Sequence, residues 1–194
     1  PVFVEILDRV QDEMRRNGFT TMLVSGGEDP VLEQADIETL LQFQVDGLIL
    51  ISHRLAPDKL AAFAKEVPTV VVTRSDMQIP NMDVVSNDDV AGTELAVDHL
   101  VSLGPAAALI GLADSPTAIV VANDLAAMGA IAAAQDSGLN VPDDVSIVGY
   151  DGIAFGGLKN VNLTTVAQPL SQLGSLAALR LIERISEPKQ PAQQ

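Results

Sequence analysis

Short apolar runs rich in β-branched residues recur along this chain, and most are separated by a segment whose apolar residues return at helical spacing. The runs fall at residues 19–24, 48–51, 69–73, 82–85, 117–122, 145–150 and 163–167. Within most of them the apolar residues are continuous rather than alternating with polar ones. Parallel strands covered on both faces have this pattern, and each needs a crossover that a helix supplies. The predicted helices are 2–17, 31–44, 56–65, 89–103, 105–113, 123–137 and 169–185. Gly18, Gly104 and Gly138 stop three of them, and Asp29 with Pro30 starts the second as N-cap and first helical residue. That second helix is expected to bury Leu32, Ile37, Leu40 and Leu41. The fold class is α/β, with one or two doubly wound parallel sheets. Residues 189–194 read as a solvated tail.

The chain has 194 residues and a formal charge of −15, enough length for one ordinary domain or two small lobes. So acidic a surface repels phosphate backbones, which argues against nucleic-acid binding by this chain alone. No cysteine is present, so disulfides, thiolate metal sites and cysteine nucleophiles are excluded. No apolar run approaches a membrane span. With five Phe, one Tyr and no Trp, few residues can stack on a flat ligand.

In doubly wound sheets the ligand crevice lies beyond the carboxyl ends of the strands. The residues there are Ser25-Gly26-Gly27, Ser52-His53-Arg54, Arg74 with Asp76, Asn123-Asp124, Asp151 and Gln168. Asp, Asn, Arg and Gln each offer paired hydrogen-bonding atoms, which suits adjacent hydroxyls, a carboxylate or an amide. A bland role accounts for each as well. Asn123 and Asp124 open a helix and could be caps. Asp151 precedes Gly152 in a turn, Arg74 could be a surface ion-pair partner, and Gln168 could cap the last helix. Ser25-Gly26-Gly27 lacks the spacing of a phosphate loop. No nucleophile elbow, zinc-binding helix or spaced acid/base pair marks catalysis, and two scattered histidines do not make a metal site. The expectation is a non-enzyme without cofactor or metal.

Six segments, in order and across nearly the whole chain, resemble the lactose-repressor/galactose-repressor family. Pro1-Val2-Phe3-Val4-Glu5-Ile6 is similar to its NPFF-x-E-I helix start, and Val45-Asp46-Gly47-Leu48-Ile49-Leu50 to its VDGIIL. Asp88-Asp89-Val90-Ala91-Gly92 with His99-Leu100 resembles its D-N-x-x-G and H-L elements. Residues 116–124 resemble PTAI-x-x-x-ND, 141–151 resemble VP-DVS-VG-D, and 163–169 resemble LTTV-QP. The resemblance implies the periplasmic-binding-protein type I fold, two α/β lobes with an effector cleft between them. It implies a cytoplasmic, homodimeric repressor that binds a small polar effector, a sugar above all. It meets operator DNA only through a headpiece absent from this sequence, and has no membrane partner. Effector contacts carried over by motif are Phe3, Ser25, Arg74, Asn123, Asp151 and Gln168, with Phe155 as a further aromatic. The first lobe would comprise 1–104 and 168–188, and the second, incomplete, 105–167. The alternative on the same fold is a stand-alone periplasmic sugar-binding protein of a transport system.

The sequence departs from the family pattern in three places. The headpiece is missing, and so is the first strand, expected before Pro1. Gly104 also runs directly into Pro105, where the family continues with a strand and an arginine-bearing helix. About 50–60 residues are absent there, judged by the length that parallel crossovers need.

Overall fold

A computed structural model describes residues 2–26, 29–72, 79–102 and 117–193. They form α1 (Val2–Arg16), α2 (Pro30–Gln42), β1 (Leu48–Ile51), α3 (Pro57–Glu66), β2 (Thr69–Val72), β3 (Met82–Val85), α4 (Asp89–Ser102), β4 (Ala118–Val120), α5 (Asp124–Asp136), β5 (Ser146–Asp151), β6 (Thr164–Ala167) and α6 (Leu170–Ser186). A 3₁₀ turn, Ala154–Gly157, follows β5. The expected helix at 105–113, the Gly104–Pro105 junction and Arg74 lie outside the described residues.

The chain divides into two units, Pro1–Asn87 with Pro169–Gln194, and Asp88–Gln168. The first contains a parallel sheet in the order β1-β2-β3. Its side chains alternate between two cores. Leu48, Leu50, Val71 and Val84 face Ile37 and Leu40 of α2 and Leu60 and Phe63 of α3. Val70, Val72 and Val85 face Ile6 and Val10 of α1 and Leu173, Ala177 and Leu181 of α6. Burial on both faces is why these strands read as continuous apolar runs. Gly174 brings α1 and α6 together: a side chain there would strike the backbone of Ile6 and the Cβ of Arg9. A charged pair is buried inside this unit. Arg184 of α6 donates to both carboxylate oxygens of Asp83 on β3, at 2.6 and 2.7 Å, with both side chains almost fully buried.

The second unit contains the sheet β4-β5-β6, again parallel. α5 packs Ala127 and Ala134 on Val145, Ile147 and Leu163. On the other face Ala96 of α4 meets Val148. The leading segment of the first unit ends at Asn87. α4 goes with the second sheet because Gly92 lies against the Tyr150 ring and Ala96 against Val148.

Three expectations change. Residues 19–24 form no strand, although the run is apolar and β-branched, because among the described residues no ladder partner pairs with them. Leu32 is exposed rather than buried; Ile37 and Leu40 carry the inward face of α2. The tail is not wholly solvated. Gln193 donates its backbone N–H to Asp83 at 2.7 Å and accepts from Val84 N at 3.0 Å, so it is anchored against β3.

Candidate functional site

The carboxyl end of the β4-β5-β6 sheet gathers most of the predicted contacts. The register aligns Val120 with Val148 and Asp151 with Ala167. Asn123 follows three residues after the end of β4, and Gln168 follows directly after β6. Asp151 is the last residue of β5, not the first of a loop. Its φ is 126°, a left-handed conformation that strains any residue with a Cβ. Gln168 holds it there: its side-chain amide donates to Asp151 Oδ1 at 2.7 Å, and its backbone N–H donates to the Asp151 carbonyl at 3.0 Å. Burial pushes the Asp151 carboxyl above the usual carboxylate range, with the negative charges of Asp124 and Asp89 adding to it and the Gln168 bond opposing. Gly152 must stay small, since a Cβ there would lie 2.6 Å from Ala167 Cα.

Asn123 is exposed and is the N-cap of α5, its Oδ1 accepting from Ala126 N at 2.8 Å. Its amide nitrogen is left to donate outward. Asp124 does not cap. It is fully buried, and its carboxylate accepts from Ile153 N at 2.8 Å and from the Thr165 hydroxyl. It thereby ties the loop after β5, and β6, to the start of α5. Sequence reasoning weighed it as a strand-end ligand group or a cap, not as an internal tie. The one signal for more was an acid placed directly beside the cap, and that does not reveal partners 29 and 41 residues away. Phe155, on the 3₁₀ turn after Asp151, is 57% exposed. Gln168 is not a helix cap; Pro169 occupies that position.

The first unit carries two more. Phe3, 53% exposed in the first turn of α1, and Ser25 both line one cavity. Gly26 is pressed against the backbone of Glu33, whose carboxylate accepts Arg54 N at 2.8 Å. No group of three or more His, Asp or Glu side chains among the described residues could hold a metal ion. The strand-end groups instead supply what a neutral hydroxylated molecule needs: carboxylate and amide acceptors, amide donors and exposed aromatic faces.

Two family models match the chain. One, for periplasmic binding proteins and the sugar binding domain of the LacI family, spans residues 1–115; the other, for a periplasmic binding protein-like domain, spans 72–194. The chain belongs to the LacI family. It is the effector-binding core of a transcriptional regulator, with the periplasmic-binding-protein type I fold. The LacI-family core is 27% identical to the HTH-type transcriptional repressor PurR of Haemophilus influenzae, covering 100% of this chain and 73% of that protein. That match runs over 247 residues against 194 here, so 53 positions of the relative have no counterpart in this chain, in accord with the shortening expected from the motifs. The transcriptional regulator DegA of Bacillus subtilis is 28% identical, over 90% of this chain and 68% of DegA. A LacI transcriptional regulator from a Rhodococcus species superposes with a TM-score of 0.87 at 26% identity, covering 100% and 89% of the two chains. At 23% identity, a Lactobacillus casei regulator with bound sucrose shares the fold (TM-score 0.81; 96% and 88% covered). So does a lac repressor dimer bound to operator at 24% (TM-score 0.82; 98% and 73% covered). No helix among the described residues is long and apolar enough to cross a membrane.

Proposed function

We propose that this LacI-family core binds a neutral sugar as its effector and works as a homodimer. The contacts are Phe3, Ser25, Arg74, Asn123, Asp151, Phe155 and Gln168. The observation that carries this reading is the Asp151–Gln168 pair. A strained backbone conformation is held in place at an exposed strand end, and strain of about 1–3 kcal/mol is retained where the surroundings over-determine it, as ligand clamps do. Asp151 Oδ2 and Gln168 Oε1 then accept from sugar hydroxyls, Asn123 donates, and Phe3 and Phe155 cover apolar ring faces. The family model's sugar-binding description and the sucrose-bound neighbour support the ligand class. The charge of −15 weighs against a strongly anionic effector.

The dimer reading rests on the exposed first turn of α2, where Val31 and Leu32 face solvent at 75% and 58%, and on the dimeric lac repressor neighbour. Effector and operator affinities are then linked through the dimer, with the operator met by a headpiece outside this sequence. Calorimetric titration with a panel of neutral mono- and disaccharides, and purine bases as the competing class, tests the ligand. A sugar should bind, and Asp151→Ala or Gln168→Ala should weaken it by about tenfold or more, the worth of a hydrogen bond to a charged group. Purine binding alone, or variants that bind sugar unchanged, would overturn the reading. Light scattering should give twice the chain mass, and Val31→Asp with Leu32→Asp should halve it.

A further inference from the structure

Asp124 reaches all three strand ends of the second unit at once. It directly follows Asn123, the N-cap of α5, and its side chain is fully buried. Its Oδ2 accepts from Ile153 N at 2.8 Å, two residues after Asp151 and two before Phe155. Its Oδ1 accepts from the hydroxyl of Thr165 on β6, three residues before Gln168. Each of Asn123, Asp151, Phe155 and Gln168 thus stands within three residues of Asp124 or of one of its two donors. The sheet makes room for this carboxylate. The register sets Gly149 beside Thr165, and a Cβ on Gly149 would strike Asp124 Oδ1. A bare backbone at that one point lets the acid pass over β5 to β6. The helix start has no need of it, since Asn123 already accepts from Ala126 N. A charge is retained in a buried place only when its oxygens are paired, and both are paired here with segments that carry predicted effector contacts.

We propose that Asp124 is a positioning residue of the effector site: it holds Asn123, Asp151 and Gln168 in their mutual arrangement before any effector arrives, and does not touch the effector itself. The inference rests on the reading of those three residues as effector contacts and adds what sets their geometry. Contacts fixed in advance bind more tightly, because their ordering is already complete when the ligand meets them. The positioning is done by hydrogen bonds, so an uncharged side chain of the same shape should do it too. In Asp124→Asn the side-chain oxygen still accepts from Ile153 N, and the amide donates to Thr165 Oγ1. The Thr165 hydroxyl then turns its own proton toward Val166 O, 3.5 Å away.

The test is amide hydrogen exchange by NMR on the effector-free chain and on Asp124→Ala, Asp124→Asn and Thr165→Val. Gln168 N–H, which donates to the Asp151 carbonyl, reports the arrangement. Ser146 N–H, which donates to Thr117 O at the other end of β5, reports that the sheet is folded. Relative to Ser146 in the same protein, Gln168 should exchange about tenfold or more faster in Asp124→Ala and about threefold or more faster in Thr165→Val. In Asp124→Asn it should stay within about threefold of the original chain. Equal acceleration of Gln168 and Ser146 in Thr165→Val would mean a merely structural role and overturn the proposal. So would an Asp124→Asn protein that loses Gln168 protection while Ser146 keeps its own. Calorimetric titration with neutral mono- and disaccharides separates this from the effector reading. If none binds the original chain while exchange follows the expected order, the sugar reading fails and the positioning stands. Sugar bound equally by the original chain and by Thr165→Val, with Gln168 exchanging faster in the latter, would overturn the link from Asp124 to the effector.

Discussion

The two units solve the same problem, a three-stranded parallel sheet, with different means. The first buries Val70, Val71 and Val72 completely between helices on both faces and adds the Asp83–Arg184 pair. Full burial of a valine contributes about 1.5–3 kcal/mol, so apolar packing dominates there. The second covers Val145, Ile147, Val148 and Leu163 with small helix residues, Ala96, Ala127 and Ala134, and leaves Val90 and Leu95 of α4 exposed. Its fully buried carboxylate, Asp124, ties the loop after β5, and β6, to the start of α5, beside the Asp151–Gln168 bond. A unit of apolar walls tolerates a polar loss away from its core, whereas a unit organised by one buried acid depends on that acid. The chain's single tyrosine, Tyr150, lies in the second unit, and there is no tryptophan. Tyrosine fluorescence therefore follows the second unit while far-UV circular dichroism follows both.

That contrast can be broken most forcefully at Arg184. Arg184→Ala leaves Asp83 buried and uncompensated and should destabilise the first unit by about 3–5 kcal/mol. Urea unfolding should show a shifted dichroism transition with the tyrosine transition in place; equal shifts in both would mean that the units unfold as one. Replacing the pair together, Asp83→Leu with Arg184→Met, should recover most of the loss. Asp124→Ala should move the tyrosine transition by about 3 kcal/mol, because the Ile153 N–H and the Thr165 hydroxyl both lose their acceptor. Gly152→Ala should cost about 2 kcal/mol in the same unit. Its φ of 75° disfavours a Cβ, and the backbone of Ala167 stands in the way.

The smallest effect sharpens the comparison rather than breaking it. Because the folded Asp151 holds its proton more tightly than the unfolded residue does, the second unit loses stability as pH rises from the ordinary carboxylate range through the raised folded value. Asp151→Asn should flatten that slope in a tyrosine-monitored pH series. Its gain at neutral pH should stay below about 1 kcal/mol, since solvent screens a partly exposed group.

Much of this was legible in the chain itself. Helices 2–16 and 170–186 and the strands at 48–51, 69–72, 82–85 and 146–151 follow from local period and stop signals, and fall within a residue or two of their expected limits. The strand-end rule picked out Asp151 and Gln168, which the structure brings together. Asp83 inside an apolar strand was itself a sign of a buried partner, but its partner stands 101 residues away. Other features were invisible for the same reason. The run at 19–24 has the local properties of a strand, yet a strand exists only where another backbone pairs with it. Nothing local in α4 says which sheet it covers; Gly92 and Ala96 pack on the second. Periodicity is written in neighbouring residues, so sequence alone determined which segments are helical or extended and which faces are apolar. Which edge meets which and which acid finds which donor depend on contacts between distant residues, and only the tertiary structure decided those.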